Sequence, residues 1–242
     1  MQFDIRSNAA DVSRWLSDAE KAQVPFATVY AMTLTARDVR EVEIGTMQRV
    51  FDRPTPYALY ALRVQPATRA SMVASVEYKE FGGTPAKRFL NPEVHGGERS
   101  QKASERLLLP LMRGYRYWVP GRGAELNGYG NVSGAVVRRI LSQVKASSDP
   151  LSNASNSARS KRKRKNDAFF VPKTGSKLRA GVWQRKGGGI KPVLIFVNRA
   201  SYRKRFPFYE TAGGVVAERF KVNFERALQS AMATSSYKGK WR

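Results

Sequence analysis

One histidine, two groups of neighbouring carboxylates, a triple glycine and a run of five cations are the residues of this 242-residue chain that could do chemistry. His95 stands in Asn91-Pro92-Glu93-Val94-His95-Gly96-Gly97, and a histidine beside a glutamate has the makings of an acid–base pair. No nucleophile or second base is near it in sequence, and one titratable group without partners specifies no reaction, so a loop-structuring role is expected. Glu77 and Glu80 form one acidic group, and Asp38, Glu41 and Glu43 the other. Metal-assisted hydrolysis needs converging carboxylates. Neither group has a recognisable spacing, and both read as solvated faces of a strand or helix. The glycines Gly187–Gly189 lie between two strand patterns, and no Gly-Lys-Ser/Thr follows, which points to a hairpin tip and away from a phosphate loop.

The cations are Lys161, Arg162, Lys163, Arg164 and Lys165, preceded by Arg159. Such a run contacts phosphates without sequence preference. Aromatic residues are not interleaved with it, so base stacking is not indicated. Docking on an acidic protein subunit and a solvated loop are the other readings. Lys177–Arg242 is separately basic, with 15 Lys and Arg against 3 Glu.

The whole chain has 43 Lys and Arg against 19 Asp and Glu, a formal charge of +24. That excess repels itself in a lone monomer and attracts polyanions or acidic protein surfaces. With 42% hydrophobic residues there is material for a real core. Cysteine is absent, which removes disulfides, thiolate metal sites and cysteine nucleophiles. A single histidine removes multi-histidine zinc sites, and no cofactor is expected. No run of about 18 apolar residues predicts a membrane span. Met1–Arg14 carries Asp4 and Asp11 and no apolar stretch, so it does not read as a secretory leader.

Periodicity assigns these residues to helices and strands. Asp11–Ala22 reads as a short helix, and Pro25 as the first-turn proline of a second one running to about Met47. The core face of that second helix would be Phe26, Val29, Tyr30, Leu34, Val39 and Val42. Tyr57–Val64 and Ala70–Phe81 read as strands. Gly97–Arg113 reads as a basic helix, and Tyr115–Asn131 as a loop rich in glycine and aromatics. A helix capped by Ser133 follows, with Val136, Val137, Ile140, Leu141 and Val144 as its apolar stripe. Ala146–Asn166 reads as a mobile basic loop. Gly181–Lys186 and Pro192–Asn198 form a hairpin whose second strand, apolar on both faces, should be central. Ala212–Ala233 reads as an amphipathic helix burying Val216, Phe220, Phe224, Ala227, Leu228 and Ala231. The expected class is α+β: a small, mainly antiparallel sheet, long terminal helices and a basic middle insertion. In sections these are 1–145, the loop 146–167, and 168–242, together one composite domain.

From Arg88 to Ala233 the chain resembles a family of prophage minor tail proteins related to the tail-completion protein Z of phage lambda. The resemblance rests on Phe89-Leu90-Asn91-Pro92-Glu93-Val94-His95-Gly96-Gly97-Glu98-Arg99 with Lys102 and Glu105, and on Val119-Pro120-Gly121 continuing to Tyr129-Gly130-Asn131. It continues through Phe169-Phe170-Val171, Gly181–Lys186, Pro192–Val197, Tyr202, Arg203 and Arg205-Phe206 into the C-terminal helix. It implies a structural, non-enzymatic subunit that forms an oligomeric ring at the head–tail joint of a virion, after assembly in the host cytoplasm. Its implied partners are further copies of itself, other tail, connector or portal proteins, and double-stranded DNA in the channel, with no membrane. Exposed aromatics are enriched at interfaces, so Tyr115, Tyr117, Trp118 and Tyr129 are the expected contacts between subunits. Arg159 and Lys161–Lys165 are the expected contacts to DNA phosphates or to an acidic subunit. The rival readings are a non-sequence-specific DNA-binding protein of assembly or packaging, and a nuclease or lytic enzyme working through Glu77 or Glu80.

Overall fold

The computed structural model describes residues 9–79 and 84–234, with side chains from Gln23 to Lys79 and from Thr84 to Ala233. Along the chain run α1 (Ala9–Val50), α2 (Pro56–Leu59), β1 (Leu62–Gln65), β2 (Ser75–Tyr78), α3 (Lys87–His95), β3 (Gly97–Glu98), α4 (Ala103–Met112), β4 (Tyr117–Pro120) and α5 (Gly134–Gln143). Then come α6 (Ala158–Arg164), β5 (Asp167–Phe170), β6 (Gly181–Lys186), β7 (Gly189–Val197), β8 (Ser201–Tyr202) and α7 (Phe208–Thr234). The fold is α+β, with antiparallel sheets and long terminal helices. The chain divides into two compact units: residues 1–87 with 206–242, and residues 88–205. Their boundaries fall elsewhere than the 145 and 168 expected from composition.

The first unit is built on α1 and α7. α1 is one helix of 42 residues with Pro25 inside it, where two helices were expected. Proline withdraws one backbone donor from a helix interior, and the helix continues through that loss. Its contact with α7 is made by small residues: Ala27, Ala31 and Ala227 are fully buried, with Phe220, Phe224 and Leu228 packed around them. Bulky Phe26 and Tyr30, expected in the core, stack on each other at the surface with centroids 6.2 Å apart. Val42 is exposed too, whereas Val39 is buried as expected. The β1–β2 hairpin lies against α1, tied by Arg40 Nε donating to the Leu62 carbonyl and by the Ala67 amide donating to Thr33 Oγ1. Tyr57–Leu59, expected in a strand, belongs to the turn of helix α2, whose Thr55 Oγ1 accepts from the Ala58 amide.

The second unit holds a four-stranded antiparallel sheet in the order β4-β7-β6-β5. β7 is an inner strand with Val193, Leu194, Ile195 and Phe196 all buried, as expected. A two-residue turn, Gly187-Gly188 at φ +59 and +79, joins β6 to β7. This is the mirror-image turn that matches strand twist and that glycine adopts without strain. α4 and α5 cover one face, where Leu108, Met112, Ile140 and Leu141 meet Trp118, Phe169, Val182 and Phe196. Each such buried side chain stabilises the fold by about 1.5–3 kcal/mol. Ser133 caps α5 as expected, its Oγ accepting from the Val136 amide. Gln143, at the other end of α5, donates to the Asp167 carbonyl and accepts from the Phe169 amide. That side chain satisfies the free edge of β5 and blocks pairing with another strand there.

Candidate functional site

The cationic run falls on α6, an exposed helix of seven residues. A mobile loop was expected. Ser157 accepts from the Ser160 amide at the helix start, and unbranched Lys and Arg side chains are good helix formers. Arg164 turns back onto the chain, donating to the carbonyls of Ser160 and Ser155. Arg159, Lys161, Arg162, Lys163 and Lys165 are exposed, and none pairs with a described carboxylate.

The fold also shows where the charge resides. Residues 88–205 contain 26 Lys and Arg against 6 Asp and Glu, a net +20, whereas the remaining residues contain 17 against 13, a net +4. Five of the six acids in the second unit are already paired. Glu93 meets Arg205 at 2.5 Å, Glu105 meets Arg99 at 2.5 Å, Glu125 meets Lys186 at 3.1 Å, Asp167 meets Arg139 at 3.1 Å, and Glu98 meets Arg199 at 4.0 Å. The sixth, Asp149, accepts from the Leu151 amide and Ser152 Oγ. Most cations of this unit therefore have no acid of their own unit to offset them.

Of the four aromatics expected at subunit contacts, two are structural. Tyr117 is 3% exposed and Trp118 4%. Both lie on β4, a strand of the central sheet and not a loop. Trp118 Nε1 donates to Ser104 Oγ, and the Lys102 ammonium sits 4.4 Å above its ring. Tyr115 packs against the same core. Tyr129 alone stands on the surface, 44% exposed, with its amide held by Asn127 Oδ1. The aromatic-rich stretch is thus largely a means of seating β4.

The carboxylates do not converge. Glu77 bonds Arg63 and Ser75 in the exposed hairpin, while Glu80 lies outside the described residues. Glu93, two residues before His95, accepts both Nε and Nη2 of Arg205. It therefore joins α3, which ends at His95 where a loop was expected, to the segment after β8. Asp38 accepts from Asn223 Nδ2, and Glu41 pairs with Arg40. Glu43, expected on a solvated face, is fully buried, and neither carboxylate oxygen has a hydrogen-bond partner. Burial, reinforced by nearby Glu210, pushes its pKa up to about 8. Burial, with Tyr209 and Glu43 nearby, also pushes Tyr78 up to about 12. Among the described residues no group of three or more His, Asp or Glu side chains is placed to hold a metal ion, and no helix is long and apolar enough to cross a membrane.

One concave feature lies within the first unit. A groove of about 520 Å³ runs between α1, the β1–β2 hairpin and α7. Met32, Val39, Val76, Phe208 and Phe220 line it. At its mouth stand Met72 (44% exposed), Val73 (66%) and Val216 (46%). Val216 was expected on the buried face of α7. It opens instead into this groove, because α7 meets α1 through the stripe centred on Ala227. Exposed apolar residues grouped around a concavity mark contact surfaces more often than isolated ones do.

Among known proteins, the chain matches no family model, no curated protein and no solved structure.

Proposed function

We propose that the chain is a structural subunit of a bacteriophage virion, a minor tail or tail-completion protein that assembles as a ring at the head–tail joint. The observation that carries this reading is the apolar groove of the helical unit, with Met72, Val73 and Val216 at its mouth. It offers a neighbouring subunit a pocket for apolar anchors of the kind that dominate interface energy. The resemblance from Arg88 to Ala233 supplies the class of assembly. Ring contacts between copies are heterologous, so the groove on one copy receives a different surface of the next. Copies carrying +24 each require acidic neighbours or enclosed nucleic acid to sit together. Disrupting the coding sequence in an inducible prophage tests this reading. The expected result is filled heads and tails that fail to join, and normal infectious particles would refute it.

A second reading, a non-sequence-specific DNA-binding protein of assembly or packaging, is favoured by the net +20 of residues 88–205. It requires the purified chain to bind duplex DNA of any sequence, with an affinity that falls steeply with salt.

A further inference from the structure

The four-stranded sheet has two unlike faces. Facing residues of paired strands lie on the same side. Phe169 is opposite Gln184 and Val182 opposite Leu194, and all four are buried beneath α4 and α5 or beside them. The alternate positions make the other face. There Phe170 is opposite Trp183, Ala168 opposite Arg185, and Arg185 opposite Ile190. Phe170 and Trp183 are half-buried, Arg185 is exposed, and Ile190 is 47% exposed. The Arg185 guanidinium lies 5.4 Å from the Phe170 ring centroid. Trp183 is held in place by its Nε1 donating to the Arg179 carbonyl at 2.9 Å. Two fixed rings and a stacked guanidinium thus share one side of the sheet.

The same strand connects this face to the cations. Lys165 precedes Phe170 by five residues, so their Cα atoms are at most about 18 Å apart. The sequence shows no aromatics within the cationic run. The fold supplies them from β5 and β6 next to it.

We propose that residues 88–205 bind single-stranded nucleic acid, with unpaired bases stacked on Phe170, Trp183 and Arg185 and with phosphates held by Lys161, Arg162 and Lys163 of the adjoining α6 and by Lys165 just beyond it. Aromatic rings stack on the face of any base, and a cationic groove tracks the backbone, so such a site is tolerant of sequence. A duplex keeps its bases paired and stacked, so it gains only the phosphate contacts. Charge selects this occupant. The unit is net +20 with five of its six acids already paired. An acidic protein surface would satisfy the cations, but only a polyanion that carries flat bases uses the charge and the two rings and guanidinium beside it together. The proposal stands apart from the virion reading and adds a base-contacting face to the phosphate-only reading of the charge.

The test is a titration of the full chain by fluorescence anisotropy with an oligothymidylate, with the corresponding duplex and with polyglutamate, at several salt concentrations. The single strand is expected to bind at least tenfold more tightly than the duplex. Replacing Trp183 with Leu is expected to weaken single-strand binding about tenfold, as does Phe170→Leu, with duplex binding unchanged. Replacing Lys161, Arg162, Lys163 and Lys165 with Ser is expected to weaken both and to reduce the single-strand salt slope by about 0.7 for each phosphate no longer neutralised. Arg185→Gln, on an exposed side chain, serves if the ring variants fail to fold, and is expected to lower the preference for single strands several-fold. Equal affinity for single strand and duplex, with no effect of the ring variants or Arg185→Gln, would overturn the base-stacking face while leaving phosphate binding intact. Tighter binding of polyglutamate than of either nucleic acid would overturn the choice of occupant.

Discussion

Arg99 and Glu105 form a two-pronged ion pair inside the second unit, Nη1 to Oε2 at 2.7 Å and Nη2 to Oε1 at 2.5 Å. Arg99 is 7% exposed and Glu105 not at all. Glu105 also accepts the amides of Lys102 and Trp118, at 2.6 and 3.0 Å. It therefore closes the start of α4 and fixes the position of β4 at once. Burial by itself would raise the Glu105 pKa, but the Arg99 guanidinium and the two amides outweigh it and hold the carboxyl below the usual range.

Glu105→Ala leaves Arg99 charged and buried without its carboxylate, which costs about 3–5 kcal/mol. The expected outcome is a large drop in the denaturant midpoint with no change in slope. A carboxyl with a lowered folded pKa contributes stability at neutral pH that is lost as pH falls through that value. Wild type should therefore lose stability on acidification by an amount that Glu105→Gln does not show. Urea titrations between pH 3 and 7 measure both.

Glu43 acts in the opposite sense. Its ordinary value is 4.5 and its folded value about 8, so between those pH values the unfolded chain has released a proton that the folded chain keeps. Stability contributed by the first unit should fall as pH rises from about 4.5 to about 8 and then level off. Glu43→Gln should remove that slope and raise stability at pH 8. Denaturation monitored at pH 5, 6, 7 and 8 checks the sign, and a wild-type curve flat across this window would contradict the burial of an unpaired carboxyl.

Asn223 of α7 donates its side-chain amide to Thr35 Oγ1 at 3.1 Å and Asp38 Oδ2 at 2.7 Å on α1, at a position only 5% exposed. The alanines at the centre of the seam constrain its register weakly, and this polar contact fixes it. Asn223→Leu should cost about 1–3 kcal/mol through acceptors left unsatisfied. A double-mutant cycle with Thr35→Val should show coupling, and additive losses would remove the register role.

α6 places five consecutive cations, Lys161–Lys165, at and just beyond the end of an exposed helix of seven residues. Isolated helices of this length are marginal, and like charges four apart oppose each other. Limited trypsin digestion should cut first within Lys161–Lys165, and an added polyanion should slow that cut. First cleavage in the β6–β7 hairpin would contradict it.

The legible parts of the fold are those where local chemistry and packing agree. Ser133 with the stripe ending in Ile140 and Leu141 specifies α5, and three glycines between two apolar runs specify the hairpin with β7 at the centre. Periodicity misleads at the α1–α7 seam because it rewards large side chains. Phe26 and Tyr30 outweigh Ala27 and Ala31 in any apolar count, yet the small residues let the helices approach. Tyr117 and Trp118 read as a surface because glycines surround them. Long-range pairing of β4 with β7 buries them, and nothing in their own segment encodes that contact. The candidate surfaces are hidden for the same reason. Phe170 and Trp183 are 13 residues apart in sequence but face each other across β5 and β6, and Val216 joins Met72 only through the fold. The segregation of charge becomes visible only once Phe206 onward is seen to belong with α1.

The groove yields a prediction about assembly. Val73 and Val216 stand at its mouth, 66% and 46% exposed, so Val73→Asp should change stability by less than about 0.5 kcal/mol and Val216→Asp by about 1 kcal/mol. Both variants should fold but be excluded from particles, whereas surface changes remote from the groove should be tolerated. Comparing the variant's abundance in lysate and in purified particles separates a folding defect from an assembly defect.

Assembly into a ring is read from the copy number of this chain in purified virions, by quantitative mass spectrometry, with electron cryo-microscopy locating the copies. Several copies per particle are expected, arranged as a ring at the head–tail joint, each with its groove filled by a neighbouring subunit. A chain absent from mature particles, or present as a single copy, would contradict it.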